Sequence, residues 1–336
     1  MGYLYALIAA LLFGINGSVT KVIVGAGLDP AQLTFFRVTG TVVVSGLVLL
    51  VTDRAAFRLT RHQLGVMAIL GVFGVAGLQF FYATALSLLP VGITLLLEYT
   101  AVLMVAVIAF FFFSERVKPR LWVSIGLVLG GLAVVAQIWT GSLNLLGVVF
   151  ALLAAVALTV YFLVGERLLT ASSAMAVAFW SMLFAALLWA MLSGWWTIDP
   201  SVFPTAVSLS GNLEAVSVPL LLPLLWNVLL GSFAPFFFSY LALKRLTATA
   251  AGVIASSEVI FAFLVAWVWL GEGLNPVQLV GAALVLAGIV LAQTARAEKV
   301  LDPDLAFRDG PDVVGERVPA TRATTESVGG NVGGRS

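Results

Sequence analysis

Three ionisable side chains, Arg37, Glu98 and Glu258, stand inside apolar runs that otherwise carry almost no charge. A charged group within a membrane-crossing helix costs about 2.5 to 3.5 kcal/mol on insertion scales, so such groups face a cavity or a partner and mark substrate or ion pathways. A guanidinium offers a planar fork of donors that fits a carboxylate at both oxygens, and a carboxylate nearby takes an ammonium or a proton. Arg37 lies about six residues into one apolar run and Glu98 about seven into another of the same direction, so at 1.5 Å per residue both sit roughly 10 Å deep. Together they could hold the two ends of a small zwitterion. The same two residues could also be a structural ion pair that staples helices.

Glu258 lies near the middle of its run, after Ser256 and Ser257, and has no basic residue within two helical turns. An isolated carboxylate at that depth is strongly desolvated. A group that alternates between dry and wet surroundings can bind a proton on one side and release it on the other. That makes Glu258 the first candidate for proton coupling and Glu98 the second, against a Glu258 kept neutral by a bond to a neighbouring helix. Asn16, Tyr82, Tyr161, Trp180 and Tyr240 are further polar or amphipathic groups that could line a substrate cavity, interhelical packing being the first explanation for any one alone. Glu115 and Glu272 sit at helix ends beside loops, where they set the turn or gate the ends. Gly126 with Gly130, and Gly71, Gly74 and Gly77, mark close helix contacts.

The elements that position these groups follow from composition. The chain is 61% hydrophobic and 10% charged, with a mean hydropathy of +1.11, far from the soluble average of about a quarter charged. The apolar residues fall into runs of about 20, long enough as helices to cross a hydrocarbon core of roughly 30 Å. Ten spans are expected, at 3–24, 31–51, 63–83, 91–113, 120–139, 145–165, 173–193, 219–243, 248–270 and 276–295. Pro30, Pro90, Pro119 and Pro276 stand near helix starts, where a missing N–H costs nothing. The first run lacks a basic segment before it and reads as a span, not a cleavable signal. From Arg296 the sequence turns polar and Gly-rich, and 296–336 is expected to be a disordered cytoplasmic tail.

The chain also repeats itself. The stretch around 82–119 returns around 239–276 without a gap: Ala85 and Leu86 fall on Ala242 and Leu243, Glu115 on Glu272, Pro119 on Pro276 and Gly131 on Gly288, at an offset of 157 (272 − 115). Glu and Pro are scarce here, so their joint recurrence carries the argument. Two five-span units result, 1–140 and 141–295. Five is odd, so the second unit enters the membrane in the opposite sense, as in the inverted repeats of many secondary transporters. Charge agrees. With the N-terminus in the cytoplasm, Arg54, Arg58, Arg61, Arg116, Lys118, Arg120, Arg167, Lys244, Arg245 and the tail all lie inside, while the 194–218 loop has no basic residue. Both termini are then cytoplasmic, and Trp195 and Trp196 form an outer aromatic belt.

Function classes narrow in parallel. With no cysteine and one histidine, His62, the chain offers no disulfide, thiolate metal site or Ser/His/Asp set, so neither an enzyme nor a metal or cofactor is expected. No GxxxxGK[ST] phosphate loop occurs, which excludes that route to ATP. The expected partners are a small-molecule substrate and membrane lipid, with no nucleic acid, in a monomer or a homodimer.

The duplicated unit resembles the EamA family of the drug/metabolite transporter superfamily. The residues that carry this are Phe113-Ser-Glu115 with Pro119 and the Gly126–Gly131 run, Leu270-Gly-Glu272 with Pro276 and the Gly281–Gly288 run, Phe13-Gly-Ile-Asn16 with Lys21, and Arg37. Leu97-Glu98-Tyr99 is similar to the threonine and homoserine exporter subgroup, although Val102 and Val259 replace the proline expected after the acidic residue. The resemblance implies an all-α membrane fold and efflux of an amino acid or similar metabolite, driven by an ion gradient. A broad drug exporter, or a non-transporting sensor or assembly protein that signals through its tail, would fit the same span pattern. In this cysteine-free chain, single cysteines near Arg58 and Arg308 should label from the cytoplasm and those near Asp199 and Gly273 from outside. A cytoplasmic Asp199 loop would overturn the inverted arrangement.

Overall fold

The structure is a computed structural model that describes residues 1–101, 103–105, 107–108, 119–136, 143–243, 245 and 254–295. Glu115, Lys118, Val102 and the tail from Arg296 lie outside the described residues. In hydrocarbon every backbone N–H and C=O must be bonded within the protein, and the apolar runs accordingly form helices. These are α1 (Gly2–Gly25), α2 (Pro30–Thr52), α3 (Arg61–Ile69), α4 (Gly77–Leu88), α5 (Val91–Glu98), α6 (Arg120–Ala136), α7 (Leu145–Ala171), α8 (Ala174–Leu192), α9 (Leu221–Val228), α10 (Ala234–Leu243), α11 (Ser257–Val265) and α12 (Pro276–Ala295). Among the described residues, six helices are long and apolar enough to cross a membrane, and four shorter apolar helices accompany them.

Local chemistry sets the starts. The Asp29 carboxylate accepts the Ala31 N–H at 2.7 Å while Gln32 accepts the Asp29 N–H, a reciprocal cap with Pro30 at the first helical position of α2. Asn144 and Ser173 cap α7 and α8. The link between α8 and α9 contains a feature the apolar pattern does not announce, a short antiparallel pair of β1 (Ala206–Ser208) and β2 (Ser217–Pro219). Its neighbours Leu209 and Asn212 bond Trp269 Nε1 and Val268 O, both at 2.9 Å, and fasten this link to the end of the span that α11 begins. Asp199, exposed in the same link, has its carboxyl held below the ordinary range by the Ser201 N–H.

The duplication is visible as paired irregularities. A wide π turn, Leu70–Ala76, joins α3 to α4, and another, Leu229–Phe233, joins α9 to α10. At the offset of 157, Gly74 of the first falls on Gly231 of the second. Each glycine admits a residue from another helix: a Cβ on Gly74 would lie 3.2 Å from Tyr161 Cα, and one on Gly231 would lie on the Asn16 amide.

Helices α6 and α12, which are equivalent, pack on each other through small residues. A Cβ on Gly131 would meet Gly281 O at 2.8 Å and Val285, while one on Gly288 would meet Ser124 O at 2.9 Å and Val128. Ser124 is the equivalent of Gly281, and Val128 of Val285, so the two contacts are images of one another. Low numbers of α6 meet high numbers of α12, so the equivalent helices run antiparallel. The expectation for Gly126 and Gly130 fails: nothing lies within 4 Å of a Cβ on either. They face away from the α6–α12 contact, and small size there serves no packing. Gly281→Ala should therefore destabilise the protein by about 1–3 kcal/mol through overpacking, whereas Gly130→Ala should be neutral or stabilising by up to about 1 kcal/mol. Thermal unfolding in detergent compares them, and equal effects would refute the packing assignment.

Candidate functional site

The ladder of α5 stops at Glu98. Tyr99 and Thr100 form a tightened turn, with the Thr100 N–H bonded to Leu97 O at 3.2 Å, and the chain is helical again at Ala101. The equivalent helix in the second half does the same. Ile254 and Ala255 are helical, Ser256 is a turn, and α11 starts at Ser257. At the offset of 157 Tyr99 falls on Ser256, so the two interruptions coincide. Their cause is equivalent too: the Thr100 hydroxyl bonds Leu97 O at 2.6 Å and the Ser257 hydroxyl bonds Ile254 O at 2.6 Å, a side-chain alternative to the helical ladder. Glu258 was expected near mid-span, and it stands in the first turn after the interruption, about 18 Å from Leu270 at 1.5 Å per residue.

These interruptions meet. Tyr99 Oη donates to Glu258 Oε2 at 2.7 Å and reaches Ala255 O at 3.4 Å. Glu98, one residue before Tyr99, is buried, and its Oε2 has no hydrogen-bond partner. Arg37, 5% exposed on α2, donates from Nε to Ser232 Oγ at 3.0 Å, in the second π turn, and its Nη1 has no partner. Arg37, Tyr82 and Glu98 interact electrostatically with one another, and Glu258 interacts with Tyr82 and Glu98. Among the described residues no ion pair joins Arg37 to Glu98; the pair acts through space. One guanidinium and two carboxyls from α2, α5 and α11 thus share a centre, Arg37 and Glu98 buried and Glu258 partly so, with donor and acceptor atoms of Arg37 and Glu98 left open.

The other sequence candidates are distributed around it. Tyr82, buried on α4, places its hydroxyl against Gly17 of α1, 2.8 Å from where a Cβ would stand. Asn16 Oδ1 accepts Asn227 Nδ2 at 2.8 Å, and the same nitrogen reaches Thr20 Oγ1 at 3.0 Å. Tyr161 packs beside Phe236 and against Gly74. Trp180 stands apart, its indole N–H donating to Ala56 O at 3.0 Å in the link after α2. Tyr240 is in α10, with its side chain outside the described residues. Sequence reading missed Tyr99, Ser232, Asn227 and Gln79, the last a buried amide whose Nε2 lies 3.5 Å from Met182 Sδ. Asn227 and Gln79 are uncommon amides within apolar runs and could have been found by that alone. Ser232 carried no such signal.

A second polar assembly closes the end of the bundle where α1 finishes. Glu272, just past the left-handed Gly271, pairs with Lys21 and accepts the Val91 N–H at 2.7 Å, while Lys21 Nζ also donates to Leu89 O at 3.1 Å. One carboxylate thereby ties α1, the α4–α5 link and the approach to α12, at a helix end beside a loop as the sequence placed it. At the same end a cavity of about 510 Å³ opens among Asp29, Phe80, Thr84, Phe150 and Trp189, none of which belongs to the charged centre.

Comparison with known proteins adds three findings. Residues 1–137 and 145–294 each match the family model described as the EamA-like transporter family. A crystal structure of another protein shares 20% identity, with a TM-score of 0.61 over 87% of this chain and 96% of the other, a likeness of fold. No curated protein matches the chain.

The Glu272 assembly makes its own prediction. In a Ser18→Cys protein, where the cysteine is buried at this end of α1, Glu272→Ala should raise the rate of labelling by a water-soluble maleimide roughly tenfold, the scale of about 1.4 kcal/mol. An unchanged rate would show that Glu272 does not hold this end closed.

Proposed function

The chain belongs to the EamA-like transporter family, and from that premise we propose that it exports amino acids or similar small metabolites across the cell membrane by alternating access, with a proton as the coupling ion. It is a multi-pass membrane protein that transports small molecules. The finer reading is carried by one observation: the buried Arg37 and Glu98 and the partly buried Glu258 converge from three helices on one centre in which Arg37 Nη1 and Glu98 Oε2 lack partners. An unpaired buried donor or acceptor is costly, and a ligand carrying a carboxylate and an ammonium would satisfy both.

In this reading Arg37 binds the substrate carboxylate and Glu98 its amino group, with Asn16, Tyr82, Tyr161, Trp180 and Tyr240 as wall residues of the path. Glu258 carries the proton, with Glu98 as the alternative carrier. A guanidinium at the centre disfavours cationic drugs as the main cargo. The ten spans form two inverted units, 1–140 and 141–295, with both termini and the 296–336 tail in the cytoplasm and the Lys21–Glu272 end facing out. Rocking one unit against the other would open each end in turn.

Reconstitution into liposomes with an amino-acid panel, with and without a pH gradient, tests this. Arg37→Ala and Glu98→Gln should each abolish transport without loss of folded protein. Recovery in the doubly substituted protein would make the two a structural pair. Glu258→Gln should still exchange substrate but no longer accumulate it under a pH gradient. Unchanged accumulation would remove Glu258 from the mechanism.

A further inference from the structure

We propose that Tyr99 is the positioning residue for Glu258: its hydroxyl lets the carboxyl gain and lose a proton while the two interrupted helices stay joined. This rests on the reading of Glu258 as the proton carrier and adds what must surround it. A buried carboxyl that changes protonation has different hydrogen-bonding needs in its two states. Ionised it only accepts, and protonated it must also donate. A fixed donor satisfies the first state and collides with the second, whereas a fixed acceptor does the reverse.

A phenol hydroxyl satisfies both, provided its own proton has somewhere to go. Tyr99 Oη has two acceptors in reach, Glu258 Oε2 at 2.7 Å and Ala255 O at 3.4 Å. With Glu258 ionised, the phenol donates to the carboxylate. When one proton arrives on Oε2, the new carboxyl O–H donates to the phenol oxygen, and the phenol proton turns to Ala255 O, a contact that needs a few tenths of an ångström to reach ordinary hydrogen-bond length. Loss of that proton reverses both rotations. One proton is bound or released, no covalent bond to carbon changes, and the carboxyl and the phenol stay hydrogen-bonded to each other in both states.

The helix interruption is what makes the second acceptor available. In an uninterrupted helix Ala255 O would accept the Val259 N–H, but that N–H goes to Ser256 O at 3.3 Å. The equivalent of Tyr99 in the second half is Ser256, which carries no phenol, so the device occurs once. Among the described residues, the titratable groups facing Glu258 are Glu98 at the end of α5, Tyr99 just past it and Tyr82 on α4. Helix α1, packed closely on α11, presents Gly14 there, and its one lysine, Lys21, is engaged with Glu272 two turns further on.

The test is Tyr99→Phe, which keeps the ring and removes the hydroxyl, in the reconstituted full-length protein. Substrate exchange should persist while pH-driven accumulation falls roughly tenfold, the scale of one hydrogen bond to a charged group. The Tyr99→Phe/Glu258→Gln protein should accumulate no less than Glu258→Gln alone, because the two residues act as one unit. Infrared difference spectra on a pH step give a readout independent of transport: a carboxyl band lost in Glu258→Gln should shift to higher frequency in Tyr99→Phe. A wild-type pH profile and an unshifted band in Tyr99→Phe would overturn the inference while leaving Glu258 as the carrier. Full accumulation by Glu258→Gln would instead remove the premise.

Discussion

A bilayer core contains no water to bond a stray amide, so every departure from the helix must be satisfied inside the protein. This constraint governs where the chain is irregular. At Tyr99–Thr100 and at Ser256 the hydroxyls of Thr100 and Ser257 occupy nearby carbonyls, and Tyr99 reaches the carbonyl of Ala255. At the π turn before α4, the indole of Trp189 bonds Ala76 O at 3.3 Å. Such arrangements survive only where other helices surround them. The two interruptions stand together in this way, and Tyr99, Glu98 and Glu258 stand with them.

Duplication supplied the framework and left the chemistry asymmetric. The π turns at Leu70–Ala76 and Leu229–Phe233, the interruptions and the glycine contacts of α6 with α12 occur as pairs at one offset. The functional groups do not. Glu98 falls on Ala255, Ala101 on Glu258, and Tyr99 on Ser256. Each half retains the same backbone device, but the first half supplies Arg37 and Glu98 and the second supplies Glu258. A scaffold of two equivalent halves can present two nearly equivalent openings, but coupling to a proton needs a carrier, and one carboxyl with one adaptable partner suffices.

The helices, the repeat and the three charged residues were legible because each rests on a strong signal: long apolar runs, scarce residues recurring at one offset, and charge where charge is costly. The interruptions were not. Thr100 and Ser257 are ordinary residues in transmembrane helices, and whether a hydroxyl bonds the carbonyl three residues back or simply packs depends on the neighbouring helix. Tyr99 was read only as part of a family pattern, since its partner lies 159 residues away. The glycines show the same limit. Gly126 and Gly130 share the spacing of a contact motif, yet Gly131, one position round the helix, makes the contact, because the face that meets α12 is chosen by tertiary packing.

The two polar assemblies differ in a way that assigns them different tasks. Lys21 and Glu272 retain 31% and 17% side-chain exposure, so water competes for both charges and the pair is only moderately strong. The Tyr99–Glu258 contact, itself partly buried, joins the two interrupted helices directly. A bundle that opens by rocking has to give up contacts at its rim and keep those at its pivot. The rim pair is cheap to break because its members can be rehydrated, whereas the central pair need not be broken if the phenol can follow the carboxyl through both protonation states. The positions of the two assemblies, one at an end and one at the interruptions, suit the rocking proposed above.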